Sequence, residues 1–150
     1  MISINVSTLI LRPIWEVFNF IATPANNYQW QYGSLESVQI TEGKMTIGSV
    51  FSSLGHFMGR RIQSTFQVTE FESNKNYGFK TLSGPIQLKT SYKFDAVDRG
   101  TAVVVTTQVS PGGFFKVGDP IVARAARKQF KENFGKLKEL LEAREINHNR

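Results

Sequence analysis

The stretch DPIVARAARKQFKENFGKLKELLEAR, residues 119–144, decides the fold. Val122, Ala126, Phe130, Phe134, Leu137 and Leu141 recur every three or four residues, which predicts one long helix with a single apolar stripe. Asp119 as N-cap and Pro120 at the first helical position give it a start. Gly135 sits inside it, where Gly costs about 1 kcal/mol against Ala. That glycine reads either as a tolerated defect or as a point where the sheet backbone comes close.

Before this helix the period is two. Strands are expected near 36–42, 48–54, 61–72, 77–83, 86–95 and 101–109, broken by Gly, Asn and Asp. The clearest are Ile62, Ser64, Phe66, Val68 and Leu88, Thr90, Tyr92, Phe94, with polar residues on the opposite faces. The strand at 48–54 is ambiguous, because Val50 and Phe51 compete to face inward. Ile2, Ile4, Val6 and Thr8 alternate with Ser3, Asn5 and Ser7 in a first strand, a pattern unlike a signal peptide. Pro13 then opens a short helix with Ile14, Val17, Phe18 and Ile21 inward and Trp15 beside them. Thr23-Pro24 stops it, and Ala25 to Trp30 makes a second short turn.

The expectation is an α+β fold in which seven antiparallel strands curve around the C-terminal helix. A meander must cover its apolar face, and only this helix is long enough. A curved sheet gripping one helix leaves a hollow, and function is sought there.

The chain has 150 residues, 41% of them apolar, including 12 Phe, which suffices for one core and a single domain over 1–150. With no Cys, disulfides, thiolate catalysis and Cys-ligated zinc are excluded, and a reducing cytoplasm is the default location. No apolar run approaches a membrane span. A net charge of +6 could steer an anion, a phospholipid surface or a nucleic acid, but the charges are scattered. Arg124, Arg127, Lys128 and Lys131 share the outer helix face, yet Glu132, Glu139, Glu142 and Glu145 break the stripe and no aromatic series accompanies it. It reads as a solvated face in preference to a nucleic-acid site.

Hairpin pairing sends alternate connections to opposite ends of the sheet. One end collects polar loops at 41–48, 72–76 and 97–100. The other collects 55–60, 83–85 and 110–118, with Phe57, Met58, Phe114 and Phe115 among them. Loops are ordinarily polar, so these four mark a cavity mouth. They read equally as a flexible lid hinged on glycines at 55, 59, 112, 113 and 118 or as a plug folded into the barrel end. Peripheral membrane or partner contact, helped by Arg60, Arg61 and Lys116, ranks third.

No grouping of His, Asp or Glu has metal-ligand spacing, and no cofactor is expected. Weak catalytic candidates are Tyr92, Glu70, which follows Val68 in phase with the inward face, and His56 at the mouth; His148 falls in a frayed tail. Ser64, Thr90 and Tyr92 are polar at inward positions, as a cavity holding a ligand with one polar end would require. Phe51, Phe66, Phe130 and Phe134 complete the expected lining. Basic residues near the mouth hint at an acidic or phosphate end on that ligand.

Several local patterns then resemble the SRPBCC superfamily, the START-like or helix-grip domains, and in it the polyketide cyclase/dehydrase-like branch. Pro24-Ala25-Asn26-Asn27-Tyr28-Gln29-Trp30 is similar to the family's Asp-Pro-x-x-x-x-x-Trp stretch, with Thr23 replacing Asp. Val68-Thr69-Glu70-Phe71-Glu72 resembles the strand that commonly ends in Glu-Pro, departing at Ser73. Gly100-Thr101-x-Val103 and Leu137 to Glu142 match the last strand and closing helix. The resemblance implies an apolar cavity but no shared catalytic motif. It supports binding of a small hydrophobic or amphipathic molecule as carrier, sensor or chaperone, by a monomer or weak homodimer. The alternative is a cyclase or dehydratase using acid–base chemistry in the cavity.

Overall fold

The computed structural model describes residues 1–148, with side chains through Arg144, so the side chains of Glu145 and His148 lie outside it. Strand β1 (Ile2–Ile10) leads into α1 (Ile14–Ile21), a 3-10 turn (Pro24–Asn26) and α2 (Asn27–Trp30). Strands β2 (Ser34–Gln39), β3 (Val50–Phe57), β4 (Arg60–Glu72), β5 (Asn76–Ser83), β6 (Gln87–Val97) and β7 (Gly100–Ser110) follow, and α3 (Asp119–His148) closes the chain. Among the described residues the seven strands form one antiparallel sheet, ordered β1-β7-β6-β5-β4-β3-β2. The α+β helix-grip architecture is therefore present as expected: a curved sheet around a long C-terminal helix, with two short helices after the first strand.

Side-chain alternation fixes which face turns inward. Ile2, Ile4, Val6 and Ile10 of β1 are buried, as are Val103 and Val105 of β7. Phe51, not Val50, faces inward on β3, opposite Phe66. The expected loop at 55–60 is instead a two-residue turn at Met58-Gly59, both with positive φ (51° and 75°), as tight hairpins require. Gly55 is consequently no hinge. It lies in β3, where a Cβ would stand 2.8 Å from the Gly33 carbonyl oxygen.

Glu70 is also displaced from its expected face. Val68 pairs with Phe79, but Glu70 pairs with Gly78, so a bulge at Thr69 adds one residue and reverses the alternation. Phe71 turns inward in its place, its ring 5.4 Å from that of Phe18. Glu70 reaches across the outer face to Ser91 (3.1 Å) and Lys93 (3.3 Å).

The helix starts also shift by one residue. The N–H of Val122 donates to the Gly118 carbonyl, which makes Gly118 the cap and places Asp119 and Pro120 in the first turn. Pro13 is likewise the N-cap of α1 and not its first residue. On α1, Phe20 joins the buried stripe while Trp15 is exposed.

Helix α3 packs along β1, the sheet edge, and occupies its outward-facing groups. Lys138 donates to the Leu9 carbonyl (2.6 Å), and the Leu11 N–H donates to Glu142 (2.9 Å). Arg127, from the basic stripe, reaches the Ser3 carbonyl at 3.4 Å. The C-terminal half of the helix stripe, Leu137 and Leu141, is fully buried alongside Ile10, Val17, Phe18 and Val103. That end of the barrel is solid.

Gly135 is exposed and a Cβ there meets nothing within 4 Å, so no backbone approach requires it. Gly135→Ala is expected to raise the unfolding free energy by about 1 kcal/mol, whereas Leu137→Ala lowers it by about 2–5 kcal/mol, both read from urea melts.

Candidate ligand-binding cavity

At the other end, facing positions carry small side chains. Ala126 on α3, Ser64 on β4 and Thr107 on β7 replace the bulk that a close-packed interior would need. The result is a cavity of about 230 Å³. Ile62, Ser64 and Phe66 from β4 and Leu88 and Tyr92 from β6 form one wall. Ile2, Thr107 and Val109 form the next, and Val122, Ala126, Phe130 and Asn133 of α3 roof it. Trp30 and Gln31 close the side nearest α2.

The polar groups are few and their partners are defined. Thr107 is bonded to Thr90 (2.7 Å) and to the Lys89 carbonyl (3.2 Å), which satisfies both hydroxyls within the sheet. Asn133 and Gln129 hold the Tyr32 peptide from both sides. The Tyr32 N–H donates to Asn133 Oδ1 (2.8 Å), and Gln129 Nε2 donates to the Tyr32 carbonyl. The Trp30 indole N–H is buried without a partner among the described residues. Burial pushes the Tyr92 hydroxyl well above its ordinary value, and it does the same to Tyr77, whose ring stacks 6.0 Å away. Both phenols are therefore neutral and can donate a hydrogen bond.

The mouth is bordered by an edge-to-face pair, Phe57 of β3 and Phe115 of the β7–α3 connection, at 5.3 Å. Phe114 meets Phe115 edge-to-face at 5.0 Å. Arg60 holds this loop twice: its guanidinium lies 4.0 Å from the centre of the Phe114 ring and donates to the Phe114 carbonyl at 2.7 Å. Phe57, Ile62, Ser64 and Phe66 also face a second hollow of about 230 Å³, which continues along β3 past Ser53 and Gly55.

Of the residues singled out in the sequence, Ser64, Phe66, Tyr92, Phe130, Phe57 and Phe115 line the cavity. Phe51 lies beneath it, packed on Phe66 (5.4 Å) and Phe79 (5.3 Å). Phe134 backs the wall between Trp30 (6.3 Å) and Tyr92 (6.5 Å). Thr90 stands behind Thr107, and Met58 faces an outer groove with His56 and Lys128. The His56 side chain is exposed, and Glu70 is on the outer face, so neither joins Tyr92. Sequence reading missed Trp30, Thr107, Gln129 and Asn133. Asn133 had a signal, being a polar residue seven positions after Ala126 and four before Leu137 on the inward stripe. Among the described residues no group of three or more His, Cys, Asp or Glu could hold a metal ion.

Residues 1–142 match the family described as polyketide cyclase / dehydrase and lipid transport. No curated protein sequence matches the chain. Among solved structures, a START superfamily protein from Mycobacterium smegmatis superposes with a TM-score of 0.78 at 11% identity, covering 94% of this chain and 97% of that one. A protein from Thermus thermophilus gives 0.75 at 14% identity, covering 91% and 94%. The di-domain ARO/CYC BexL from the BE-7585A biosynthetic pathway gives 0.72 at 16% identity, with 95% of this chain covering 47% of that chain. At these identities the likeness is one of fold.

Two outcomes are expected from this geometry. Arg60→Ala releases the mouth loop, so the amides of Phe114 and Lys116 exchange with solvent at least several-fold faster while those of β7 do not change. At alkaline pH the unfolded state ionises its tyrosines from about pH 10, while the folded state keeps Tyr77 and Tyr92 protonated. Stability therefore falls as pH rises above about 10. The fall is shallower in Tyr92→Phe, measured by urea melts across that range.

Proposed function

The chain belongs to the polyketide cyclase/dehydrase and lipid-transport family, within the START-like superfamily, and we propose that it reversibly binds a small hydrophobic or amphipathic molecule in the cavity under α3. One observation supports this reading above all: a hollow of about 230 Å³ with predominantly apolar walls, narrowed at its mouth by the Phe57–Phe115 pair. A cavity of about 150 Å³ accommodates benzene, so this volume suits a ligand of roughly ten non-hydrogen atoms. A longer chain or a fused-ring polyketide needs the mouth pair to part and the second hollow along β3 to join the first. A carrier, sensor or chaperone role follows from reversible occupancy.

Acid–base catalysis in the same cavity is the competing reading. Among the described residues Tyr92 is the only titratable one in the wall of the cavity, and its protonation at neutral pH suits a hydrogen-bond donor better than a base. An enzyme built on it would lose turnover and retain binding in Tyr92→Phe.

The test is non-denaturing mass spectrometry of freshly purified protein, beside Ala126→Leu, which extends a wall side chain into the space. A discrete added mass is expected on the natural sequence and is lost on denaturation. In Ala126→Leu that mass is absent and the melting temperature is unchanged or higher, as for other cavity-filling changes. Equal occupancy of Ala126→Leu would place the bound molecule elsewhere and refute the proposal.

A further inference from the structure

The uncompensated groups of the cavity specify the polarity of its occupant. Among the described residues the wall of this cavity contains no Lys, Arg, His, Asp or Glu, and the second hollow along β3 adds only His56. A charged ligand end would be buried there without a counter-ion, which is strongly unfavourable. The basic residues at the mouth do not supply one. Arg60 is engaged with Phe114, and Arg61 and Lys116 are exposed.

The directional unused hydrogen-bonding capacity in the cavity is a donor on Asn133, since the hydroxyls of Ser64 and Tyr92 can either donate or accept. A backbone N–H can only donate, so the Tyr32 contact fixes Asn133 with Oδ1 toward that N–H and leaves the Nδ2 protons for another partner. The Trp30 indole N–H also lacks a partner among the described residues, but its nitrogen is fully enclosed, so it lies behind the wall and not on the open space. The Tyr92 hydroxyl, also in the lining, is held protonated by burial and can donate. Asn133, Trp30 and Tyr92 are each more than nine-tenths buried. Asn133 and Tyr92 both line the cavity. Burying donors without acceptors is unfavourable, so an occupant that supplies an acceptor gains over one that does not.

We infer that the cavity selects an uncharged ligand carrying a carbonyl-type acceptor, received by the Asn133 amide, with the Tyr92 hydroxyl as the other donor in the same lining. This rests on the binding reading above and adds the chemical class of the ligand. The remainder of that ligand is apolar, matched to Ile62, Leu88, Val109 and Phe130. An anionic head group, which the basic residues near the mouth suggested in the sequence, is excluded from the interior by the same argument.

Three probes of equal size separate the possibilities: acetophenone, isopropylbenzene and benzoate, titrated calorimetrically into protein stripped of any co-purified molecule. Acetophenone is expected to bind about tenfold tighter than isopropylbenzene, which lacks the acceptor, and benzoate to bind weakest. Asn133→Asp keeps an oxygen for the Tyr32 N–H and removes the amide donor. It is expected to weaken acetophenone about tenfold and leave isopropylbenzene within about twofold. Tyr92→Phe provides the same comparison through a different donor, with a smaller loss, if Asn133→Asp does not fold. Isopropylbenzene binding as tightly as acetophenone, or benzoate binding tightest, overturns the inference while the binding reading survives. Absence of binding by all three probes at millimolar concentration overturns both.

Discussion

The burial of Leu137 and Leu141 in the concave face of the sheet anchors the remaining architecture. These two side chains, fully enclosed with Ile10, Val17, Phe18 and Val103, fix the C-terminal half of α3 against one end of the barrel. Lys138 and Glu142 on the same turns bond the backbone of β1 and the residue after it, which sets the rotation of the helix as well as its depth. A straight helix fixed at one end has a determined course at the other. There the inward positions are Val122, Ala126 and Asn133, and the sheet opposite presents Ser64 and Thr107. Neither side reaches the other, and the space between them is the cavity. Solid core and hollow are thus two consequences of one helix placement, differing only in side-chain size along the stripe.

That division bears on stability. A void forfeits dispersion contacts, and an unpartnered buried donor costs about 1–3 kcal/mol. The solid end, with its edge-to-face Phe18–Phe94 (5.1 Å) and Phe18–Phe71 contacts, supplies the excess that tolerates these losses. A ligand that fills the void recovers the dispersion contacts, gains a hydrogen bond from the Asn133 amide where it offers an acceptor, and stabilises the folded state by mass action. Binding strength at the hollow end and the stability of the folded protein are then linked quantities.

Most of the fold was legible in the sequence because it rests on periodicity. Seven strands and the long helix are long, strongly patterned segments, and the shift from period two to period near four is a physical consequence of where side chains point. Legibility failed where one residue changes the count. The bulge at Thr69 reverses the faces of β4, and no composition signal distinguishes it from a continuous strand, so Glu70 read as inward and lies outward. The turn at Met58-Gly59 is shorter than the surrounding glycines suggested, because Gly55 serves a close approach to Gly33 inside β3. In the cavity, inward parity found Ser64, Phe66 and Tyr92. It could not separate wall residues from those one layer behind, such as Phe51 and Thr90, since parity carries direction and no depth. Trp30 comes from a helix of four residues, too short for any period to mark its face.

The distribution of charge completes the physical picture. The chain carries a net charge of +6, yet among the described residues the lining of the cavity is uncharged. Arg60 shows how the boundary is kept. Its guanidinium is held over Phe114 and against that residue's carbonyl, so the cation nearest the mouth fastens the closing loop instead of facing inward. A positive surface raises the local concentration of anions through a field that extends over a Debye length. The dry interior imposes the opposite preference, because desolvation of a full charge there outweighs that attraction. Approach and occupancy are therefore governed by different physics. The field acts on anything that nears the mouth, and the neutral donors around Asn133 act only on what has already shed its water.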